Sequence, residues 1–150
     1  MALELNVVRA IYCRNRSLGS SLIRAASWWD QWSHCGLLTG DNTVIHARAF
    51  HGVVEEPLNE FAQRYSWTEI VPLNLPDPVA AVRWARKHVG DGYDYGAVIN
   101  IISNKFGAHE SPERWQCAEF LESARLAGGL DLWRCQLWRI SPSMSHKVKS

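Results

Sequence analysis

Apolar and polar residues alternate through the first half of the chain, which is the spacing of half-buried β-strands. Such segments lie at 3–13, 34–38, 43–50 and 67–75, and the stretch GVVEEPL (52–58) is a candidate for a further strand. The turn signal TGDN joins the second and third of these segments. In the second half, apolar residues recur every three to four positions, as in amphipathic helices. The pattern therefore predicts a compact α+β domain.

Helical spacing and end signals predict five helices. They are 17–29 with Ser17 as N-cap, a short one at 57–66 with Pro57 near its start, 77–90 with Asp77, Pro78 and Gly90 at its ends, 95–107, and 114–129 with Gly128 and Gly129 as its stop. The last stretch, 137–150, is predicted to be one strand followed by a polar tail.

Composition narrows the class of protein without naming a chemistry. The chain has 150 residues, of which 47% are hydrophobic and 21% charged, with a formal net charge of +1. We predict one globular domain, 1–150, that can bury a real core. The scattered basic residues give no reason to expect nucleic acid as a partner. We see no signal peptide and no apolar run long enough to span a membrane, so the expected location is cytoplasmic.

The four cysteines are widely spaced and form no pattern of a structural metal site or disulfide framework. Cys13, Cys35 and Cys135 are expected to be structural free thiols, with Cys35 in the core. Cys117 differs because it lies near the predicted start of the 114–129 helix. We favour a break before Trp115, although SPE at 111–113 offers an earlier start. A thiol at a helix start faces the positive end of the helix dipole, which stabilises thiolate.

Two histidines flank the predicted turn in WSHCGLLTGDNTVIHA (32–47). If the turn centres on Gly40, His34 and His46 lie directly opposite each other on one sheet face, close enough to share a hydrogen bond. One ring could then orient the other. If His46 only accepts a hydrogen bond from His34, a glutamate at position 46 should retain much of the activity. The alternative is a pair of polar residues with no function.

These segments together resemble a known family. WSHCGLLTGDNTVIHA followed by RWQCAEFLESARLAGG (114–129) is similar to the permuted branch of the NlpC-type papain-like cysteine hydrolases, in which the histidine precedes the cysteine. That branch includes lecithin–retinol acyltransferase-like proteins and small bacterial and phage hydrolases. VGDGYDYGA (89–97) is similar to the family's G-x-P-Y-x-Y-G segment, with Gly92 in place of proline, and ISPSM resembles its closing strand. The resemblance covers about residues 30–145 and implies a papain-like antiparallel sheet packed against helices.

The resemblance implies a thiol hydrolase or acyl-transfer enzyme that needs no cofactor. Cys117 matches the nucleophile, His34 the general base and His46 the residue that orients it, while Tyr93 would lie beside the thiolate. Trp115, next to the nucleophile, is the tryptophan that we expect to touch substrate. The expected substrate is a peptide-like amide, as in cell walls, and the alternative is a lipid acyl group.

The sequence is also compatible with two other functions. His34, His46 and Cys117 could form a zinc site with an open position. The chain could also be a non-catalytic binding module that keeps the fold.

Overall fold

A five-stranded antiparallel sheet organises the first half of the molecule. The computed structural model describes residues 7–14, 31–95, 113–133, 137 and 140–148. The strands of the large sheet are β1 (Arg9–Arg14), β2 (His34–Leu38), β3 (Thr43–Arg48), β4 (Gly52–Pro57) and β5 (Trp67–Pro72), in the spatial order β4-β3-β2-β1-β5. Two short strands, β6 (Gly92–Tyr93) and β7 (Arg114–Trp115), pair in parallel beside it. The sequence prediction of an α+β domain is confirmed.

Four helices complete the described part of the chain. They are α1 (Leu58–Gln63), α2 (Pro78–Lys87), α3 (Cys117–Ala127) and α4 (Pro142–Lys147). The predicted cap of α2 is confirmed, because the Asp77 side chain accepts a hydrogen bond from the Ala80 N–H at 2.8 Å. No helix in these ranges is long and apolar enough to cross a membrane.

Helix α3 packs on one face of the sheet and forms the main core. Cys35 and Leu37 of β2 face Phe120 and Leu121 of this helix, all of them buried. The other face carries a smaller cluster, in which Leu38 and Val44 pack under Phe61 of α1. Since successive strand residues point to opposite faces, β2 presents Cys35 to α3 and His34 to the side of α1.

Two predicted elements at the C-terminal side are corrected. The helix predicted at 114–129 begins only at Cys117, because Arg114 and Trp115 pair with β6. The strand predicted from ISPSM is wrong, since residues 142–147 are helical. There the Ser141 hydroxyl accepts a hydrogen bond from the Met144 N–H, and Pro142 occupies the first turn, where its missing N–H costs nothing.

Several predictions lie outside the described residues. They are the helix at 17–29 with its Ser17 cap, most of the helix at 95–107, the alternative start at 111–112, and Cys135.

The predicted hairpin register is wrong by two residues. Leu37 pairs with Ile45 and Leu38 with Val44, so the turn centres on Asp41 rather than Gly40. Asn42 takes a left-handed conformation with φ 58°, and the Thr39 N–H donates to the Thr43 carbonyl at 2.9 Å. A three-residue loop that ends in a left-handed residue is a common hairpin connection. His46 is therefore opposite Gly36, and His34 is its diagonal neighbour on the same face.

Gly36 leaves the space in which the His46 side chain begins. A Cβ atom at position 36 would lie 2.9 Å from the Cβ atom of His46 and 2.9 Å from Cγ1 of Val44. Both neighbours belong to a paired strand and are buried, so neither has room to move away.

We predict that Gly36→Ala lowers the free energy of unfolding by about 1–3 kcal/mol, the usual cost of an overpacked core. Urea denaturation of both proteins measures this change. Gly92→Ala is the matched control in a strand, because its new Cβ would meet the flexible Arg114 side chain at 3.2 Å. Equal stability of the Gly36→Ala variant and the wild type would contradict the prediction.

Candidate active site

Cys117 is the first residue of α3, so the predicted nucleophile lies at a helix start. Its preceding residue, Gln116, is the N-cap and accepts a hydrogen bond from the Ala118 N–H at 3.0 Å. The Glu119 carboxylate accepts a hydrogen bond from the Gln116 N–H at 3.5 Å, which completes a capping box. The Cys117 N–H lies in the first turn and has no acceptor within the helix, so it is placed to donate to a group beside the sulfur.

The Cys117 sulfur meets the beginning of β2. The Cys35 thiol, the Cys35 backbone and the His34 side chain all act on the sulfur and lower its pKa, and the Cys117 thiol lies 3.9 Å from Oε1 of Gln116, to which it can donate. Cys35 points towards α3, and His34 is the first residue of its strand. The helix start and the strand start thus bring the predicted nucleophile and base together.

Hydrogen bonding stabilises the thiolate form of Cys117. The bond from the Cys35 thiol holds the pKa of Cys117 well below the usual value; burial opposes this shift, and the charge and hydrogen bond of His34 add to it. Cys35 responds in the opposite direction, because burial and the hydrogen bond to Cys117 raise its pKa. Burial likewise raises the pKa of Cys13. Of the three described thiols, only Cys117 is shifted towards the reactive form.

The two histidines are in contact despite the corrected register. Nε2 of His34 lies 2.7 Å from Nδ1 of His46, and the rings meet edge to face. Diagonal neighbours on a sheet are within reach of aromatic side chains. Tyr65 stacks on the other side of His34 with an interplanar angle of 11°, and Phe61 packs against His46. The imidazoles are therefore held between aromatic rings.

Glu56 and Arg64 extend this arrangement and were not predicted from the sequence. Nε2 of His46 lies 2.6 Å from Oε1 of Glu56, and Arg64 bonds the same carboxylate oxygen. Val54 pairs with His46, so Glu56 is its diagonal neighbour on β4. To predict Glu56 from the sequence, the pairing register of β3 and β4 would have been needed, because Glu55 and Glu56 are adjacent and only one of them lies on the same face as His46. We call Cys117, His34, His46, Glu56 and Arg64 the polar chain.

The charges of the polar chain follow from burial and pairing. Burial lowers the pKa of His46 from 6.5 to about 4, although the bond to Glu56 opposes the shift. Burial alone would raise the pKa of Glu56, but hydrogen bonds from His46 and Arg64 outweigh it and bring the value to about 2. At neutral pH His46 is therefore neutral and Glu56 is ionised.

These protonation states assign the hydrogen positions. An ionised carboxylate only accepts hydrogen bonds, so Nε2 of His46 must carry the proton that Glu56 binds. In a neutral ring Nδ1 then holds the lone pair and accepts from the Nε2–H of His34. This leaves Nδ1 as the other nitrogen of His34, the one that can exchange a proton as a general base needs.

Tyr93 is brought towards Cys117 by the short parallel pair β6 and β7, in which it pairs with Trp115. Tyr93 packs against the core cluster that contains Cys117; burial raises the pKa of Tyr93, and the negative charge of Cys117 raises it further. Its contact with a substrate stays a prediction.

Trp115 is engaged within the protein. Its indole N–H donates to Oδ2 of Asp91 at 2.8 Å, and its ring packs against Trp84 and His88. These contacts give Trp115 a packing role beside the site, and contact with a substrate stays a prediction for this residue as well.

The zinc hypothesis finds little support in this geometry. Both ring nitrogens of His46 are already bonded, one to His34 and one to Glu56. Within the described ranges, no group of three histidine, cysteine or acidic side chains is arranged to hold a metal ion.

No protein-family model matches the chain, and no curated protein matches its sequence.

The neutral, buried state of His46 makes folding stability depend on pH. The titratable groups that face it are His34, Glu56 and Arg64. With a folded pKa of about 4 and an unfolded value of 6.5, the unfolded state binds more protons between these limits. The contribution of His46 is therefore fully present above pH 6.5 and is lost as the pH falls to 4, by about 3 kcal/mol in total.

We predict that the urea midpoint of the wild type falls between pH 7 and 5 by more than that of His46→Gln, which lacks the titrating ring. The other histidines are common to both proteins, so the difference isolates His46. Parallel pH curves for the two proteins would show that His46 is not buried as a neutral ring.

Proposed function

We propose that the protein is a cysteine-dependent hydrolase that cleaves a peptide-like amide through an acyl-enzyme. One observation carries this proposal: the Cys117 sulfur lies at a helix start where His34 lowers its pKa, and His34 is itself hydrogen-bonded to His46. Nucleophile, base and orienting group in series are the arrangement of nucleophilic catalysis. The resemblance to the permuted papain-like hydrolases supports the same assignment from the sequence.

The first half-reaction forms a thioester and releases an amine. His34 takes the proton of the Cys117 thiol, and the thiolate attacks the carbonyl carbon of the amide. The oxyanion that forms faces the Cys117 N–H at the start of α3. The intermediate collapses when the C–N bond breaks, and protonated His34 gives its proton to the departing nitrogen.

The second half-reaction restores the thiol. Neutral His34 removes a proton from water, the resulting hydroxide attacks the thioester carbon, and the C–S bond breaks. The product leaves as a carboxylic acid, and the sulfur regains a proton from His34. His46 stays bonded to His34 through both halves and stabilises its orientation.

The choice of an amide over a lipid ester comes from the resemblance alone. Hydrolysis of peptide p-nitroanilides and of long-chain p-nitrophenyl esters distinguishes the two substrate classes. Release of p-nitroaniline that requires Cys117 supports the amide. Cleavage of the long-chain esters alone would redirect the proposal to lipid acyl groups.

We predict that Cys117 is the first thiol to react with iodoacetamide at pH 6.5, because it alone among the described thiols has a lowered pKa. Peptide mass mapping after brief labelling identifies the modified residue. Earlier labelling of Cys13 or Cys35 would contradict the assignment.

We predict that p-nitrophenyl acetate transfers an acetyl group to Cys117 and that Cys117→Ala abolishes this transfer while the protein stays folded. His34→Gln should slow acylation by about 10²–10⁴-fold, the usual contribution of a general base. Intact mass and the release of p-nitrophenol measure both effects, with Cys13→Ala as the control. Undiminished acylation of Cys117→Ala would remove the nucleophile from the proposal.

A further inference from the structure

The ion pair of Glu56 and Arg64 is unlike the other ion pair on the same strand. Glu55, next to it, bonds Arg86, and the two side chains are 22% and 42% exposed. The Glu56 and Arg64 side chains are 12% and 31% exposed, and the bonded oxygen of Glu56 is also shared with a fully buried histidine. A charge pair in such a place gains little for stability, because desolvation offsets the attraction. Its position behind His46 suggests a different role.

We propose that Glu56, held by Arg64, is a positioning residue that keeps the proton of His46 on Nε2 and so directs the Nδ1 lone pair of His46 to His34. The arrangement would make the site a series of four groups behind the nucleophile rather than two. The catalytic consequence rests on the proposed function, whereas the position of the proton on His46 does not.

The argument turns on what each side chain can donate. Glu56 accepts only, so it excludes the tautomer of His46 with a bare Nε2. That tautomer would carry a proton on Nδ1, facing the Nε2–H of His34 across 2.7 Å. His34 would then have to move its proton to Nδ1 and would lose the nitrogen that takes the proton of Cys117.

Arg64 has a distinct part in this arrangement. Its guanidinium bonds Glu56 and keeps the carboxylate ionised, so the carboxylate does not become a donor to His46. Its positive charge also disfavours a second proton on His46. A doubly protonated His46 would have no lone pair for His34.

The proposal changes the expected outcome of substitutions at position 46. If His46 only accepted a hydrogen bond from His34, a glutamate at this position would replace it well. With Glu56 behind it, a glutamate at 46 would face a second carboxylate and could donate nothing. Glutamine offers a carbonyl to His34 and an amide N–H to Glu56, so His46→Gln should be the better replacement.

The first test reads the tautomer without any substrate. Long-range ¹⁵N–¹H spectra of the histidine-labelled full chain at pH 7 report which ring nitrogen of His46 carries the proton. We expect Nε2–H in the wild type and in Glu55→Leu, the matched control on the same strand, and loss of this single tautomer in Glu56→Leu, which has no acceptor for the Nε2 proton. An Nε2–H tautomer that persists unchanged in Glu56→Leu would overturn the proposal.

The second test measures acylation by p-nitrophenyl acetate. We expect Glu56→Leu, but not Glu55→Leu, to slow acylation by about 10–100-fold, the cost that loss of a hydrogen-bond partner has for metal-binding histidines. His46→Gln should acylate faster than His46→Glu by at least about tenfold, a ranking that stands even if Glu56→Leu fails to fold. Equal or reversed rates at position 46 would overturn the proposal. If the wild type is never acylated but the Glu56→Leu variant loses the Nε2–H tautomer of His46, the result would support the positioning role and reject the hydrolase.

Discussion

The three-residue loop between β2 and β3 sets the register on which the site depends. Because Asn42 adopts a left-handed conformation, the turn centres on Asp41 and places His46 opposite Gly36. The absence of a side chain at Gly36 gives the His46 ring room on a face that it shares with His34. The two rings then meet diagonally with nitrogens 2.7 Å apart. A shift of one residue would turn His46 to the opposite face and end this contact.

The start of α3 is held by a polar cap that links it to the C-terminal segment. The Gln116 side chain accepts from the Ala118 N–H and donates to the Ile140 carbonyl at 2.8 Å. Ile140 leads into α4, whose Ser145 bonds Tyr12 of β1 at 2.9 Å and Glu122 of α3. The segment that ends the described chain therefore supports the helix that presents Cys117, although it contributes no atom to the candidate site.

The three described cysteines show how position decides the chemistry of one residue type. All are buried, and burial alone raises the pKa of a thiol. Burial is the main cause of the raised pKa of Cys13, and at Cys35 the hydrogen bond to Cys117 adds to the effect of burial. Cys117 receives that hydrogen bond at a helix start beside a histidine, so its thiolate is stabilised. The buried interior thus holds two thiols with raised pKa values and one with the features of a nucleophile.

Local signals in the sequence were sufficient for much of the fold. Asp77 with Pro78 marks the start of α2, the alternation around TGDN marks β2 and β3, and the helix that follows Cys117 is evident from its apolar spacing. The resemblance to the permuted papain-like hydrolases also indicated Cys117, His34 and His46 as one constellation. The secondary-structure elements, by contrast, depend on residues close together in the chain, where backbone preference and periodicity act directly.

Tertiary structure alone decided the rest. The register of the hairpin depended on which loop residue took the left-handed conformation, and the pairing of Arg114 and Trp115 with β6 shortened α3. Glu56 and Arg64 joined His46 through the pairing of β4 with β3, which no local pattern specifies. The sequence determined which side chains were available, but the tautomer of His46 follows from burial and a carboxylate ten residues away, because proton positions depend on the groups that the fold brings into contact.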